Sequence, residues 1–209
     1  MTGSTTATMD FGGLSITYDE RVLRPRPWTV AQSRWAAELL AELPDGPVLE
    51  LCSGAGQIGL AAVARAGRDL VCVDLNPAAV ELARLNAEAA GLRRRVTVRE
   101  GRLAEAVREG EHFPLVIADP PWVETSRTGR YPEDPLEAID GGHDGLTVAC
   151  ECLAVIEAHL SDDGAALLQL GSVDQVAALM SLGSGSLRAL EVRRYDGGAV
   201  AHLARSDRD

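Results

Sequence analysis

The chain has 209 residues, a formal net charge of −11 and twenty basic residues, all of them arginine. Without lysine, a phosphate-loop lysine, a kinase lysine and a Schiff-base lysine are excluded. An acidic chain approaches nucleic acid only where its arginines cluster. The length suits one α/β domain, a sheet buried between two helical layers. No apolar run approaches the ~18 residues of a membrane span, and no charged start with an apolar core marks a signal peptide, so a cytoplasmic protein without a membrane partner is expected.

Residues 1–10 are small, polar and rich in threonine, and are expected to be disordered, with one domain over 11–209. Leu14, Ile16 and Tyr18 alternate with polar residues, the pattern of a short strand or hairpin arm. Pro25 and Pro27 forbid regular helix and make residues 22–29 an extended strap. Thr29 is then expected to cap a helix with the apolar face Val30, Trp35, Ala36, Leu39, Leu40 and Leu43. The strap is either a lead-in to that helix or a stiff edge beside a ligand loop.

Residues 48–60 organise the rest. Val48, Leu49 and Leu51 form a short apolar strand, Gly54 and Gly56 allow a sharp turn with close ligand approach, and a helix begins near Gln57 with its free N–H groups facing the loop. This is a nucleotide-type cofactor loop. Gly54, Gly56 and Gly59 spell GxGxxG, and Asp74, twenty residues on from Gly54, stands where a carboxylate takes ribose hydroxyls. A dinucleotide fits that spacing. Glu50 at the mouth of the strand favours a cationic cofactor instead, S-adenosylmethionine (SAM) with its sulfonium and ammonium groups.

A second strand over 69–75 ends at Asp74, and Asn76 with Pro77 opens a helix that stops at Gly91. Further strands are expected at 96–99, 115–118 and 165–170, with helices at 146–160 and 173–182. Residues 187–194 and 199–205 read as a terminal hairpin around Asp196-Gly197-Gly198. The expected fold is therefore α/β, a mostly parallel sheet finishing in an antiparallel hairpin. The arginines at 93, 94, 95, 99 and 102, and at 127 and 130, read as solvated faces, so nucleic acid is the less favoured partner. The four cysteines lack CxxC spacing and read as free thiols, and no pair among His112, His143, His159 and His202 has metal-ligand spacing.

The fourth parallel strand ends in Asp119-Pro120-Pro121-Trp122. This places a carboxylate, a rigid carbonyl and an aromatic face around one point, the set that methyl transfer to a planar NH2 group needs. Two acceptors orient the nitrogen, and the ring stacks on its flat carrier. No metal or nucleophilic side chain is required.

The motif resembles the (N/D)PP(Y/W) signature of amino-group methyltransferases. Residues 11–29, the Glu-Leu-Cys-Ser-Gly-Ala-Gly run from Glu50, and the stretch from Asp134-Pro135 to Gly141-Gly142-His143-Asp144-Gly145-Leu146 are similar to the HemK-type family, the glutamine N5-methyltransferases of peptide-chain release factors. The resemblance covers roughly residues 11–205 and implies a Rossmann-like class I methyltransferase fold with a seven-stranded sheet and SAM as donor. It implies Thr29, Glu50, Cys52, Gly54, Gly56, Asp74, Leu75 and Leu103 around the cofactor. Asp119, Pro120 and Trp122 are the implied catalytic set, with Arg26 and Pro121 at the acceptor. Three features depart from the family: DPPW stands for NPPY, Trp28 replaces an acid in the strap, and Gly101-Arg102-Leu103 replaces the Ser/Gly-Asp beside the adenine. The helical N-terminal domain that grips the substrate in bacterial relatives is expected to have no counterpart before Glu50, and a partner subunit is one candidate to replace it. Protein glutamine is the expected acceptor, with an exocyclic amine of RNA or DNA, or a small molecule, as the alternative. An NAD(P)-dependent oxidoreductase and a non-catalytic subunit are the readings from other classes.

Overall fold

The computed structural model describes residues 5–183 and 185–206. Ala7–Phe11 (β1) and Leu14–Tyr18 (β2) pair antiparallel across Gly12 and Gly13, both at positive φ. Residues 7–10 are thus strand rather than the disordered segment their composition suggests, because pairing with β2 supplies what their own side chains lack; residues 1–4 lie outside the described residues. Phe11 and Ile16 are fully buried and dock this hairpin on the domain. The strap ends in a 3-10 turn, Pro27–Thr29, that runs directly into Val30–Leu40 (α1). Thr29 does not cap α1: it is already in helical conformation, and its Oγ1 donates to the Arg26 carbonyl at 2.8 Å instead.

The rest of the chain alternates strand and helix: Val48–Leu51 (β3), Gln57–Ala66 (α2), Leu70–Asp74 (β4), Pro77–Ala89 (α3), Val96–Glu100 (β5), Leu103–Ala106 (α4) and Phe113–Ala118 (β6). A 3-10 segment Thr125–Arg130 and the single turn Leu136–Ile139 (α5) follow. They lead to Thr147–His159 (α6), Leu160–Leu170 (β7), Val173–Leu182 (α7), Leu187–Tyr195 (β8) and Gly198–Arg205 (β9). The seven strands from β3 onward form one sheet in the order β5-β4-β3-β6-β7-β9-β8, parallel from β5 to β7, with β9 antiparallel to both neighbours. Two differences from the expected boundaries have local causes. β7 starts at Leu160 rather than Ala165, because Leu160 pairs with Phe113 across a register shift at Pro114, which has no N–H to give. Helices α4 and α5 are single turns too short to produce a periodic pattern.

Alternate residues of the buried strands feed two cores. On one face, α1, α2 and α3 pack Trp35, Leu60 and Leu82 against Ile117 and Leu167. On the other, α4, α6 and α7 pack Leu103, Ile156 and Leu179 against Leu49, Phe113 and Leu168. Between β3 and its neighbours β4 and β6 the connections diverge to opposite sides of the sheet, the place where open α/β sheets leave a crevice at their carboxyl ends. No helix among the described residues is long and apolar enough to cross a membrane. Within the arginine run, Arg93 pairs with Glu88, Arg95 with Asp69 and Arg99 with Glu111.

Candidate active site

The crevice has two ends. At the first, residues 52–56 turn from β3 into α2 through three consecutive demands on the backbone: Cys52 at φ 55, Gly54 at φ 52 and Gly56 at φ 78. Cys52 is the one non-glycine residue at positive φ among those described. Hydrogen bonds hold the turn from below. Gly54 N donates to Asp74 Oδ2 at 2.7 Å, Ser53 N to the Val73 carbonyl at 3.1 Å, and Gly59 N to Glu50 Oε1 at 2.9 Å. A Cβ on Gly59 would sit 2.4 Å from Glu50 Oε2, so the third glycine of the motif serves the approach of this carboxylate to α2.

Glu50 is 2% exposed, and its second oxygen accepts from Cys72 Sγ. The sequence reading set it at the mouth of the strand as a direct cofactor contact. Its side chain instead lies behind the loop, on the α2 side of the sheet, with both oxygens engaged by protein donors. Burial pushes its pKa up to about 7, and the carboxylates of Asp119 and Asp74 add to the rise. Asp74 closes β4 half-buried; its Oδ1 accepts from Asn76 N, and burial raises its pKa too. Leu75 beside it is 63% exposed, whereas Leu103 is 7% exposed and packs in the core.

At the second end, β6 delivers Asp119-Pro120-Pro121-Trp122. Asp119 Oδ1 accepts from Gln169 Nε2 at 2.5 Å, and burial pushes the Asp119 carboxyl up to about 7. Pro120 is buried, and Pro121 and Trp122 are half-buried. The Trp122 ring lies against Gly171, where a Cβ would meet its Cε3 at 2.4 Å, and the Trp122 carbonyl accepts from Gln175 Nε2 at 2.9 Å. Residues 141–145 back this loop. A Cβ on Gly141 would lie 2.8 Å from the Pro121 carbonyl and one on Gly145 2.3 Å from the Trp122 carbonyl, while Asp144 Oδ1 caps Leu146 N. These glycines admit close backbone contact, which is the reason for the small-residue run.

The strap reaches this end as well. Arg26 forms an ion pair with Asp134, whose side chain is 5% exposed, tying strap to the loop after Trp122. Trp28 covers Gly197 in the β8–β9 turn. Thr29 is 2% exposed, with its hydroxyl proton spent inside the strap.

Sequence reasoning missed Gln169, Gln175 and Asn86. Asn86 is fully buried: it exchanges two hydrogen bonds with the Thr17 backbone and donates to the Ala55 carbonyl, fastening hairpin and cofactor loop together. The available signal was a polar side chain on an apolar helix face, beside Leu82 and Ala83.

Comparison with known proteins decides what this crevice belongs to. The family model described as the methyltransferase small domain matches residues 32–178. The chain belongs to that family. It is 36% identical over 172 residues to the release factor glutamine methyltransferase of Deinococcus radiodurans, covering 79% of this chain and 60% of that protein. It is 33% identical over 172 residues to the ribosomal protein uL3 glutamine methyltransferase of Bradyrhizobium diazoefficiens, covering 76% of this chain and 54% of that one. The chain spans less than two thirds of the length of these relatives. Among solved structures, the hMettl16 catalytic domain bound to an RNA hairpin superposes with a TM-score of 0.71 at 16% identity, over 94% of this chain and 77% of that one. At that identity the match speaks for the fold alone. The fold is the Rossmann-like class I methyltransferase fold, and the HemK-type resemblance carried by the three motifs holds.

Proposed function

We propose that the chain is a SAM-dependent N-methyltransferase acting on a protein glutamine side chain in the cytoplasm, with residues 11–209 as one catalytic domain. One observation carries the reading: a glycine-rich turn and an Asp-Pro-Pro-Trp motif follow the adjacent parallel strands β3 and β6 at the carboxyl-end edge of the sheet, beside carboxylates with no counter-charge among the described residues. Asp74 and Asp119 stand at the carboxyl ends of β4 and β6, with Glu50 buried behind the turn between them, and none of the three has an arginine partner among the described residues. An anionic pyrophosphate meets repulsion there, whereas a cationic donor is favoured. Gln57 Oε1 at the turn is buried without a hydrogen-bond partner among the described residues, polar capacity that a ligand can satisfy. The names of the relatives, release factor and uL3 glutamine methyltransferases, support a protein glutamine as acceptor.

The donor's Gly54, Gly56 and Asp74 contacts fix its ribose and amino-acid ends, and Leu75 offers an apolar wall to its base. Bound SAM supplies an electrophilic methyl on a sulfonium. Asp119 and the Pro120 carbonyl accept the two N–H groups of the acceptor amide, Trp122 stacks on its plane, and Arg26 and Pro121 border its entry. Hydrogen bonds to both N–H groups draw the nitrogen out of conjugation as positive charge develops, a preference for the transition state. As the N–CH3 bond forms and a neutral thioether departs, the Asp119 carboxylate takes the displaced N–H proton. In-line positioning supplies the remainder, at most ~7–11 kcal/mol.

Transfer of labelled methyl from SAM to a purified release factor, with Asp119→Ala as control, tests this. Label at glutamine, reduced ~10²-fold or more by the substitution, is the expected result. Label that appears in RNA, DNA or small molecules would replace the acceptor. Stabilisation by NAD instead of S-adenosylhomocysteine would remove the methyltransferase reading.

A further inference from the structure

Gln169 is 1% exposed on β7, and its Nε2 reaches Asp119 Oδ1 across the strand pair in which Ala118 and Leu168 are register partners. From the α1 side a second glutamine, Gln32, fully buried, donates its Nε2 to the Ala118 carbonyl at 3.2 Å and the Leu167 carbonyl at 3.1 Å. Each amide keeps a buried Oε1 with no hydrogen-bond partner. An orphaned buried acceptor costs ~1–3 kcal/mol, and an apolar residue would fill either place without that cost. Two such glutamines, one fixing the residue before Asp119 and one fixing Asp119 itself, mark a requirement of the site rather than of packing.

The chemistry of the pair is directional. An ionised carboxylate only accepts, and a primary amide offers a donor at Nε2, so the Gln169 bond can form only to a carboxylate oxygen that gives up one of its acceptor sites. It leaves Oδ2 as the Asp119 oxygen with no protein donor among the described residues. The terminal torsion of aspartate is broad and roughly two-fold, so without this bond either oxygen could turn to the substrate at a range of angles.

Resting on the methyltransferase reading above, we propose that Gln169 is a positioning residue for methyl transfer: it locks the Asp119 carboxylate so that Oδ2 alone faces the acceptor nitrogen. Gln32 holds the β6–β7 step on which that geometry depends. A hydrogen bond to an ionised acceptor also opposes the effect of burial on Asp119, keeping a larger fraction in the accepting form near neutral pH. The pair is reversible in principle. With asparagine at 119 a donor faces position 169, so a carboxylate there restores the bond with the roles exchanged.

The test uses the full chain with S-adenosylhomocysteine or SAM. Gln169→Met keeps side-chain length and removes the amide, both its Nε2 donor and its unpartnered Oε1. Expected are an Asp119 carboxyl titration, followed by carbon NMR, displaced upward by about one unit, a kcat about tenfold lower, an acid limb of the rate profile displaced equally, and a KM for SAM within about twofold. The D119N/Q169E double variant is expected to be about tenfold more active than D119N/Q169M. Unmoved titration and pH profile with only a lower melting temperature would overturn the assignment, as would equal activity of the two double variants. If the wild type transfers no methyl to a release factor while the titration still moves in Gln169→Met, the Asp119–Gln169 coupling stands and the acceptor reading falls.

Discussion

The two ends of the crevice are held together in opposite ways. The cofactor turn is fastened by near neighbours in sequence: Gly59 to Glu50 nine residues away and Gly54 to Asp74 twenty away. The acceptor end is fastened across the whole chain, with Asp119 to Gln169 separated by 50 residues, Arg26 to Asp134 by 108 and Gln32 to Leu167 by 135. Backbone conformation and the contiguous segment from β3 to α3 therefore specify the proposed donor site, while strap, β6, β7, α7 and the 141–145 turn together specify the proposed acceptor site. A locally built donor site can be kept while the acceptor site changes by exchange of loops and buried polar side chains.

Substitutions that separate the ends test that contrast. The largest effect is expected from Gly59→Ala, whose Cβ would fall 2.4 Å from Glu50 Oε2 and 3.0 Å from Leu70 Cδ1, between buried groups that cannot retreat. A loss of roughly 3 kcal/mol of stability is expected from such overpacking. Calorimetric binding of S-adenosylhomocysteine should be lost with it, since the same clash lifts the turn off its support. Unchanged melting and binding would mean that Glu50 is free to move and that the loop is not anchored through it.

Gly171→Ala acts at the other end alone. Its Cβ would fall 2.4 Å from Trp122 Cε3 and push the ring and its loop out of place. Methyl transfer is expected to fall ~10²-fold, with the dissociation constant for S-adenosylhomocysteine within about twofold of the wild type. Equal losses of binding and transfer would show that the two ends are not separable.

The smallest effect is a pH dependence. Asp119 and Glu50, buried without a cation, have native pKa values raised from 3.8 and 4.5 to about 7. The native state then binds more protons than the unfolded chain between those limits, so their contribution is fully present below the unfolded values, is lost as pH rises toward 7, and is level above it. Glu111, held down to about 2 by Arg99, has the opposite sign and acts only in the acid range, where stability is lost as pH falls through its native value. The melting temperature of the ligand-free protein is expected to drop by several degrees between pH 5 and pH 7. Asp119→Asn should flatten that slope, and SAM affinity should rise over the same interval as the crevice ionises. A slope unaffected by Asp119→Asn would place the titrating group elsewhere.

Much of this was legible in the amino-acid sequence. The GxGxxG turn, the Asn76-Pro77 helix start, the Asp119-Pro120-Pro121-Trp122 motif and the closing hairpin are contiguous patterns, set by local backbone limits and side-chain alternation. Glu50 was legible as a residue but not as a position: a strand pattern gives the face of the sheet, and only the packing of α2 on that face turned the carboxylate behind the loop. The Thr29 cap failed for a similar reason, since the 3-10 turn before α1 already meets the helix's first donors.

The sequence by itself determined the fold class and set the GxGxxG turn and the Asp-Pro-Pro-Trp motif at strand ends, because each is written in residues less than about twenty-five positions apart, within one or two elements. Only the tertiary structure decided what holds Asp119, what backs Trp122 and where the strap closes. Those contacts join side chains from α1, β6, β7 and α7, and a buried glutamine or asparagine in an apolar run shows its partner only when the strands and helices around it have packed.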